Sequence, residues 1–167
     1  MKIFKLGGKE NGNVWKLYFI GKKELEKLLN GNKDFDDIES VEILDIDKSW
    51  QAIQYLLGGD ICEIEGPLEY VIPMLVENAI DCDSEFGVFY ITTEQIKEAY
   101  DALFPLTKED LLEKYNFSEM LEDEVYPIVE DEDEKEFFDY IYSYLLEIKE
   151  FYKKTIEKEL AILFYIS

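Results

Sequence analysis

Histidine and arginine are both absent from the 167 residues, so all 17 cations are lysines. Without imidazole there can be no Ser-His-Asp or Cys-His catalysis, no histidine general base and no imidazole metal ligand. Without guanidinium there is no bidentate clamp on a carboxylate or phosphate. Cysteine occurs only as Cys62 and Cys82 and lacks CxxC spacing, so both are expected as reduced thiols in or near the core. A nucleophilic thiol needs a nearby cation or imidazole. Both cysteines sit in acidic surroundings, and neither is assigned a catalytic role. No Pro- or Ser-rich linker divides the chain. Neither Gly7-Gly8 nor Gly58-Gly59 belongs to a phosphate-loop pattern. No apolar run approaches the roughly 20 residues of a spanning helix, and the apolar part of Met1 to Gly8 is too short for a signal peptide. A cytoplasmic protein without a membrane partner is the expectation.

What is present is acid. The 39 Asp and Glu residues leave a formal charge of −22, which repels phosphate backbones and argues against nucleic-acid binding. A hydrophobic content of 47% over this length suits a single domain, residues 1–167, with a substantial core. Aromatic residues make up 15%, mostly Tyr and Phe, so many buried hydroxyls will need partners. From Glu119 to Asp139 eleven acidic residues face one lysine. Part of that run complements the N-terminus of the helix that follows.

Alternation on either side of a turn-rich insert predicts a hairpin between Lys2–Leu6 and Val14–Ile20, with residues 1–13 as an added strand and turn. A short helix over Lys22–Leu29, with Leu25, Leu28 and Leu29 inward, should end at Asn30-Gly31. An acidic loop follows over Asn32–Ser40. Pro67 opens a helix that Pro73 limits or kinks. Phe86 to Ile91 has strand composition. Thr92 or Thr93 caps the next helix, which buries Ile96, Tyr100 and Leu103, and Thr107 with Asp110 caps another that buries Leu111 and Leu112. The last helix runs from about Asp133 to Lys158 with an apolar stripe through Phe137, Ile141, Leu145, Ile148, Tyr152 and Ile156. The continuous apolar run Leu160 to Ile166 is placed as a central strand. Asp81 to Glu85 begins like a calcium loop but has Phe86 where the glycine belongs, and the acidic run at 130–134 has no ligand pattern. No metal site is assigned.

The chain is organised around Leu44 to Gly59, which combines a helix start, an apolar stripe through Trp50, Ile53 and Leu57, and a glycine stop. Asp45 or Asp47 is the expected cap. Lys48 is the one cation between Lys33 and Lys97, among sixteen acidic residues. It is expected either to fix the helix start in a salt bridge or to serve an anionic ligand.

Leu44-Asp45-Ile46-Asp47-Lys48-x-Trp50, followed by an apolar helix and a glycine, resembles the signature of the YfbM-like family of small bacterial proteins. Val14–Leu29, Tyr90-Ile91-Thr92-Thr93-Glu94-Gln95, Tyr126-Pro127 and the closing helix and strand extend the similarity almost to both ends. Family members often carry His where this chain has Gln54, and often Trp where it has Ile128 and Val129. Any histidine-dependent chemistry of the family would therefore be closed to this member. The resemblance implies a single-domain three-layer α/β/α sandwich, a mixed α+β fold with a small mixed sheet and a long C-terminal helix followed by a strand.

Charge and the missing catalytic side chains point to a non-catalytic binding or inhibitory protein, monomeric or weakly dimeric, that presents an acidic surface to a basic protein partner. Toxin-neutralising proteins do this by analogy. The alternative is a small-molecule site or enzyme around the anchor helix. The candidate ligand-binding residues are Asp45, Asp47, Lys48, Trp50 and Gln54, joined by Tyr126 through the resemblance. No catalytic residue and no cofactor are assigned.

Overall fold

The protein is described by a computed structural model covering residues 4–5, 15–40, 42–59, 64–82 and 86–166. Strand β1 (Phe4–Lys5) pairs with β3 (Glu39–Ser40) in a two-stranded sheet. The main sheet has five strands: β2 (Trp15–Ile20), β4 (Ile43–Asp45), β5 (Ala79–Ile80), β6 (Val88–Ile91) and β7 (Ala161–Ile166), in the order β4-β2-β7-β6-β5. The helices are α1 (Lys22–Leu29), α2 (Trp50–Gly58), α3 (Thr93–Leu103), α4 (Lys108–Lys114), α5 (Phe117–Glu122) and α6 (Glu134–Glu157).

Side-chain alternation along the central strands splits the apolar residues between the two faces of the sheet. Trp15, Leu17, Phe19, Ile162 and Phe164 join the larger cluster with α2, α3 and α6, while Tyr18, Ile20, Ala161 and Leu163 pack with Leu25 and Leu28 of α1. Helices thus lie on both faces, one layer thick and one thin, as a mixed α+β sandwich requires. β7 occupies the centre, paired to β2 on one side and β6 on the other, which suits a strand that is apolar on both faces.

Three expectations are corrected. The main sheet is not mixed, because every pairing in it is antiparallel. Between β6 and β7 the chain makes two long helical passes, α3 and α6, instead of the single crossover of a parallel unit. The N-terminal hairpin does not form, since both edges of β2 are taken by β4 and β7, and β1 pairs with β3 instead. Leu29 and Leu112, expected inside, are 46% exposed.

The caps of two helices and the stripe of the last one are as expected. Thr92 with Gln95 and Thr107 with Asp110 form capping boxes. α6 buries Phe137, Ile141, Leu145, Ile148 and Tyr152 in a stripe, with Ile156 partly buried beside it. The segment after Pro67 is a short 3-10 turn, Gly66–Val71, that ends before Pro73. Cys82 is a half-buried thiol against the smaller cluster, whereas Cys62 lies outside the described residues, as do residues 83–85 of the candidate calcium loop. Among the described residues no helix is long and apolar enough to cross a membrane, and no group of three acidic or cysteine side chains is placed to hold a metal.

Candidate functional site

The residues ahead of α2 fold into a tight turn that displaces both aspartates from the expected capping role. Asp45 Oδ1 accepts the Asp47 N–H at 2.8 Å, a local Asx turn. Asp47 takes a left-handed φ of 48°, which Asp adopts more readily than most residues, and its Oδ2 accepts the Tyr140 hydroxyl of α6 at 2.9 Å. Burial, reinforced by that bond, pushes the Tyr140 hydroxyl well above the usual tyrosine range. The N-cap is Ser49, whose hydroxyl donates back to the Ile46 carbonyl at 2.7 Å instead of accepting from the helix. Lys48 is exposed and makes no ion pair with any described residue.

α2 is buried along Ala52 to Leu57, on every side rather than on one stripe, because it packs among α4, α6 and the Gly66–Val71 turn in the larger cluster. Gln51 and Tyr55 tie it to the segment joining α5 and α6: Gln51 Oε1 accepts the Tyr126 N–H at 2.7 Å, and the Tyr55 hydroxyl donates to Asp123 Oδ2 at 2.6 Å. Trp50 and Gln54 face elsewhere. They line a cleft of about 340 Å³ with Ile64, Glu69, Ile72, Met74 and Leu75. Trp50 packs its inner side on Trp15, with ring centres 4.9 Å apart, and remains half-exposed. The opposite wall is held by α6, where the buried Tyr152 hydroxyl donates to the carbonyls of Tyr70 and Val71 at 2.9 and 3.0 Å.

Gln54 is 7% exposed. Its Nε2 donates to the Ile72 carbonyl at 3.3 Å, while its Oε1 has no hydrogen-bond partner among the described residues. A carbonyl can only accept, so the amide nitrogen must face Ile72 and the oxygen must be the unmatched atom. Buried acceptors are rarely left in that condition.

A second feature lies beside the Gln51 and Tyr55 side of α2. Between α5 and the first turn of α6, Glu122, Asp123, Glu124, Glu130, Asp131, Glu132, Asp133, Glu134 and Glu136 are all exposed. Val129 and Tyr126 stand among them, 51% and 39% exposed. Beside this stretch a groove of about 370 Å³ has Leu112, Tyr115 and Phe138 in its walls and Asp133, Glu134 and Asp139 at its rim. Lys108 and Lys135 also line it, but both are engaged by Asp139, at 2.7 and 2.9 Å, and these bonds hold the Asp139 carboxyl down to about 2.

The family description "Domain of unknown function (DUF1877)" matches residues 12–165. The chain belongs to DUF1877. Its fold is similar to that of the crystal structure of "a protein of unknown function YfbM" from Escherichia coli, with a TM-score of 0.73 over 92% of this chain and 99% of that one, at 20% identity. The YfbM-like resemblance is thus correct, and at that identity the likeness is one of fold. No curated protein matches the chain.

In this DUF1877 member the six residues marked in the sequence do not converge. Trp50 and Gln54 share the cleft. Asp45 and Asp47 shape the turn ahead of it, Lys48 is exposed without an ion pair to any described carboxylate, and Tyr126 belongs to the acidic side. Sequence reasoning missed Ile64, Glu69, Ile72, Met74 and Leu75. Pro67 and Pro73 signalled a helix start and its limit there, but nothing local told which element that segment would pack against.

Proposed function

We propose that this DUF1877 chain is a binding protein that engages a basic protein partner through the acidic side built by the α5–α6 connection and the start of α6. The observation that carries this reading is the placement of exposed, largely unpaired carboxylates around two exposed apolar residues, Val129 and Tyr126, beside an aromatic-walled groove. An apolar anchor within a charged rim is how protein interfaces divide affinity from steering: the anchor excludes water, and the rim attracts and orients the partner. Lysine- or arginine-rich segments complement such a surface, and a basic toxin is one class of protein that carries them. The Gln51–Tyr126 and Tyr55–Asp123 bonds brace the surface on α2 and so reduce the ordering required on binding.

The test uses a lysine-rich peptide titrated at several salt concentrations. The triple reversal Glu130→Lys, Asp131→Lys, Glu132→Lys should weaken binding at least tenfold, whereas the equal reversal Asp34→Lys, Asp36→Lys, Asp37→Lys on the opposite side should weaken it no more than the general loss of charge requires. Equal losses in the two variants would reduce the reading to unspecific attraction by a highly charged protein.

A further inference from the structure

We propose that the cleft beside α2 is a second, separate ligand site and that it takes a small organic ammonium: a primary amine carried on an apolar or aromatic body. Three observations converge there. Gln54 Oε1 is a buried acceptor without a donor among the described residues, in a side chain that lines the cleft, so a bound N–H group would satisfy it. Glu69 supplies a carboxylate, and none of the lining residues is a lysine, so the charge the cleft favours is positive. The half-exposed Trp50 ring, together with Ile64, Ile72, Met74 and Leu75, supplies apolar surface and an aromatic face able to attract a cation. A volume of about 340 Å³ lies at the lower end of the range for small-molecule sites, which is about 300–1,000 Å³, and suits a ligand with one ring or a short alkyl chain.

The expected pose follows from the polarity of the walls. The ammonium sits between Gln54 Oε1 and Glu69, and the apolar body lies against Trp50 and Met74. A carboxylate ligand of the same shape would set its charge against Glu69 and leave Gln54 unmatched. The site would therefore discriminate by charge and donor chemistry rather than by size. The inference does not depend on the acidic side of the molecule, since Glu69, Trp50 and Gln54 lie outside the segment proposed to meet a protein.

Phenethylammonium, 2-phenylethanol and 3-phenylpropionate, three probes of one shape, decide the question when titrated against the full chain by calorimetry and by amide chemical-shift mapping. Phenethylammonium should saturate one site and shift Trp50, Gln54 and Met74, while the alcohol and the anion bind at least tenfold more weakly. Gln54→Met leaves the net charge untouched, so a fivefold or larger loss in that variant cannot come from the field of the whole molecule. Glu69→Gln should produce a comparable loss, and Glu130→Gln, which removes the same charge outside the cleft, should not. If Gln54→Met fails to fold, the contrast between Glu69→Gln and Glu130→Gln answers the same question. Absence of saturable phenethylammonium binding at millimolar concentration, equal binding of the alcohol or the anion, or wild-type affinity in Gln54→Met or Glu69→Gln would overturn the proposal.

Discussion

Asp47 shows how a residue picked out for one reason can matter for another. Its position ahead of an apolar helix suggested a cap, yet its carboxylate reaches Tyr140, 93 residues further along the chain. Asp47→Ala loses that acceptor and places a residue less tolerant of a left-handed φ at 48°, so a destabilisation of about 1–3 kcal/mol is expected. Asp47→Asn keeps an acceptor and the backbone tolerance and should stay within about 1 kcal/mol of wild type. Chemical denaturation of both, with Tyr140→Phe to close a double-mutant cycle, measures the bond. Lys48→Met should leave the melting temperature unchanged within a degree or two, because no described residue pairs with the ammonium. The salt bridge expected of Lys48 does not form, for a physical reason: an excess of carboxylates nearby in sequence does not bring one within contact distance, and an exposed lysine is well solvated alone. Trp50 and Gln54 were legible as neighbours on one helix, but the wall opposite them was not, since it comes from turns whose own pattern is irregular.

At the level of elements, what could be read was what is decided locally. The boxes at Thr92 and Thr107 involve residues three apart, and the stripe of α6 is written in its own spacing, so both were visible without the fold. The exposure of Leu29 and Leu112 and the pairing of β1 depend on which neighbours arrive, and no local pattern carries that. The stripe of α6 supports a sharp contrast. Ile141 is fully buried, so Ile141→Asp would place an unpaired charge in the larger apolar cluster and unfold the domain. Lys154 lies on the outer side, half-exposed and 2.8 Å from Glu42, and Lys154→Ala should cost less than about 1 kcal/mol. Similar melting temperatures for the two would refute the assigned faces.

For the whole molecule the governing quantity is the charge of −22. Few ion pairs among the described residues offset it, so screening should relieve more repulsion than it removes attraction. The melting temperature is expected to rise between 10 mM and 0.5 M sodium chloride at neutral pH, and a fall would show that the pairs dominate. Acid acts in two stages. As pH falls towards the isoelectric point near 4.2, repulsion declines and stability should hold or increase. Asp139 and Glu24 are both held down to about 2 by lysine partners. A carboxyl lowered in the folded state contributes stability above its unfolded value, about 4, and loses it as pH falls towards 2, so any gain should reverse in that window. Thermal melts from pH 7 to pH 2 would show this as a maximum at mildly acidic pH, and a monotonic decline from neutrality would contradict it.

The position of β7 bears on how the protein is made. It is the last of the described strands to be synthesised, and it fills the middle of the five-stranded sheet between β2 and β6. Until residues 161–166 have left the ribosome, β2 with β4 and β6 with β5 are two separate fragments, each with an open backbone edge and uncovered apolar side chains. The sheet can therefore close only after translation has passed this strand, and a chain released before it would present two sticky edges to the cell in place of a finished core.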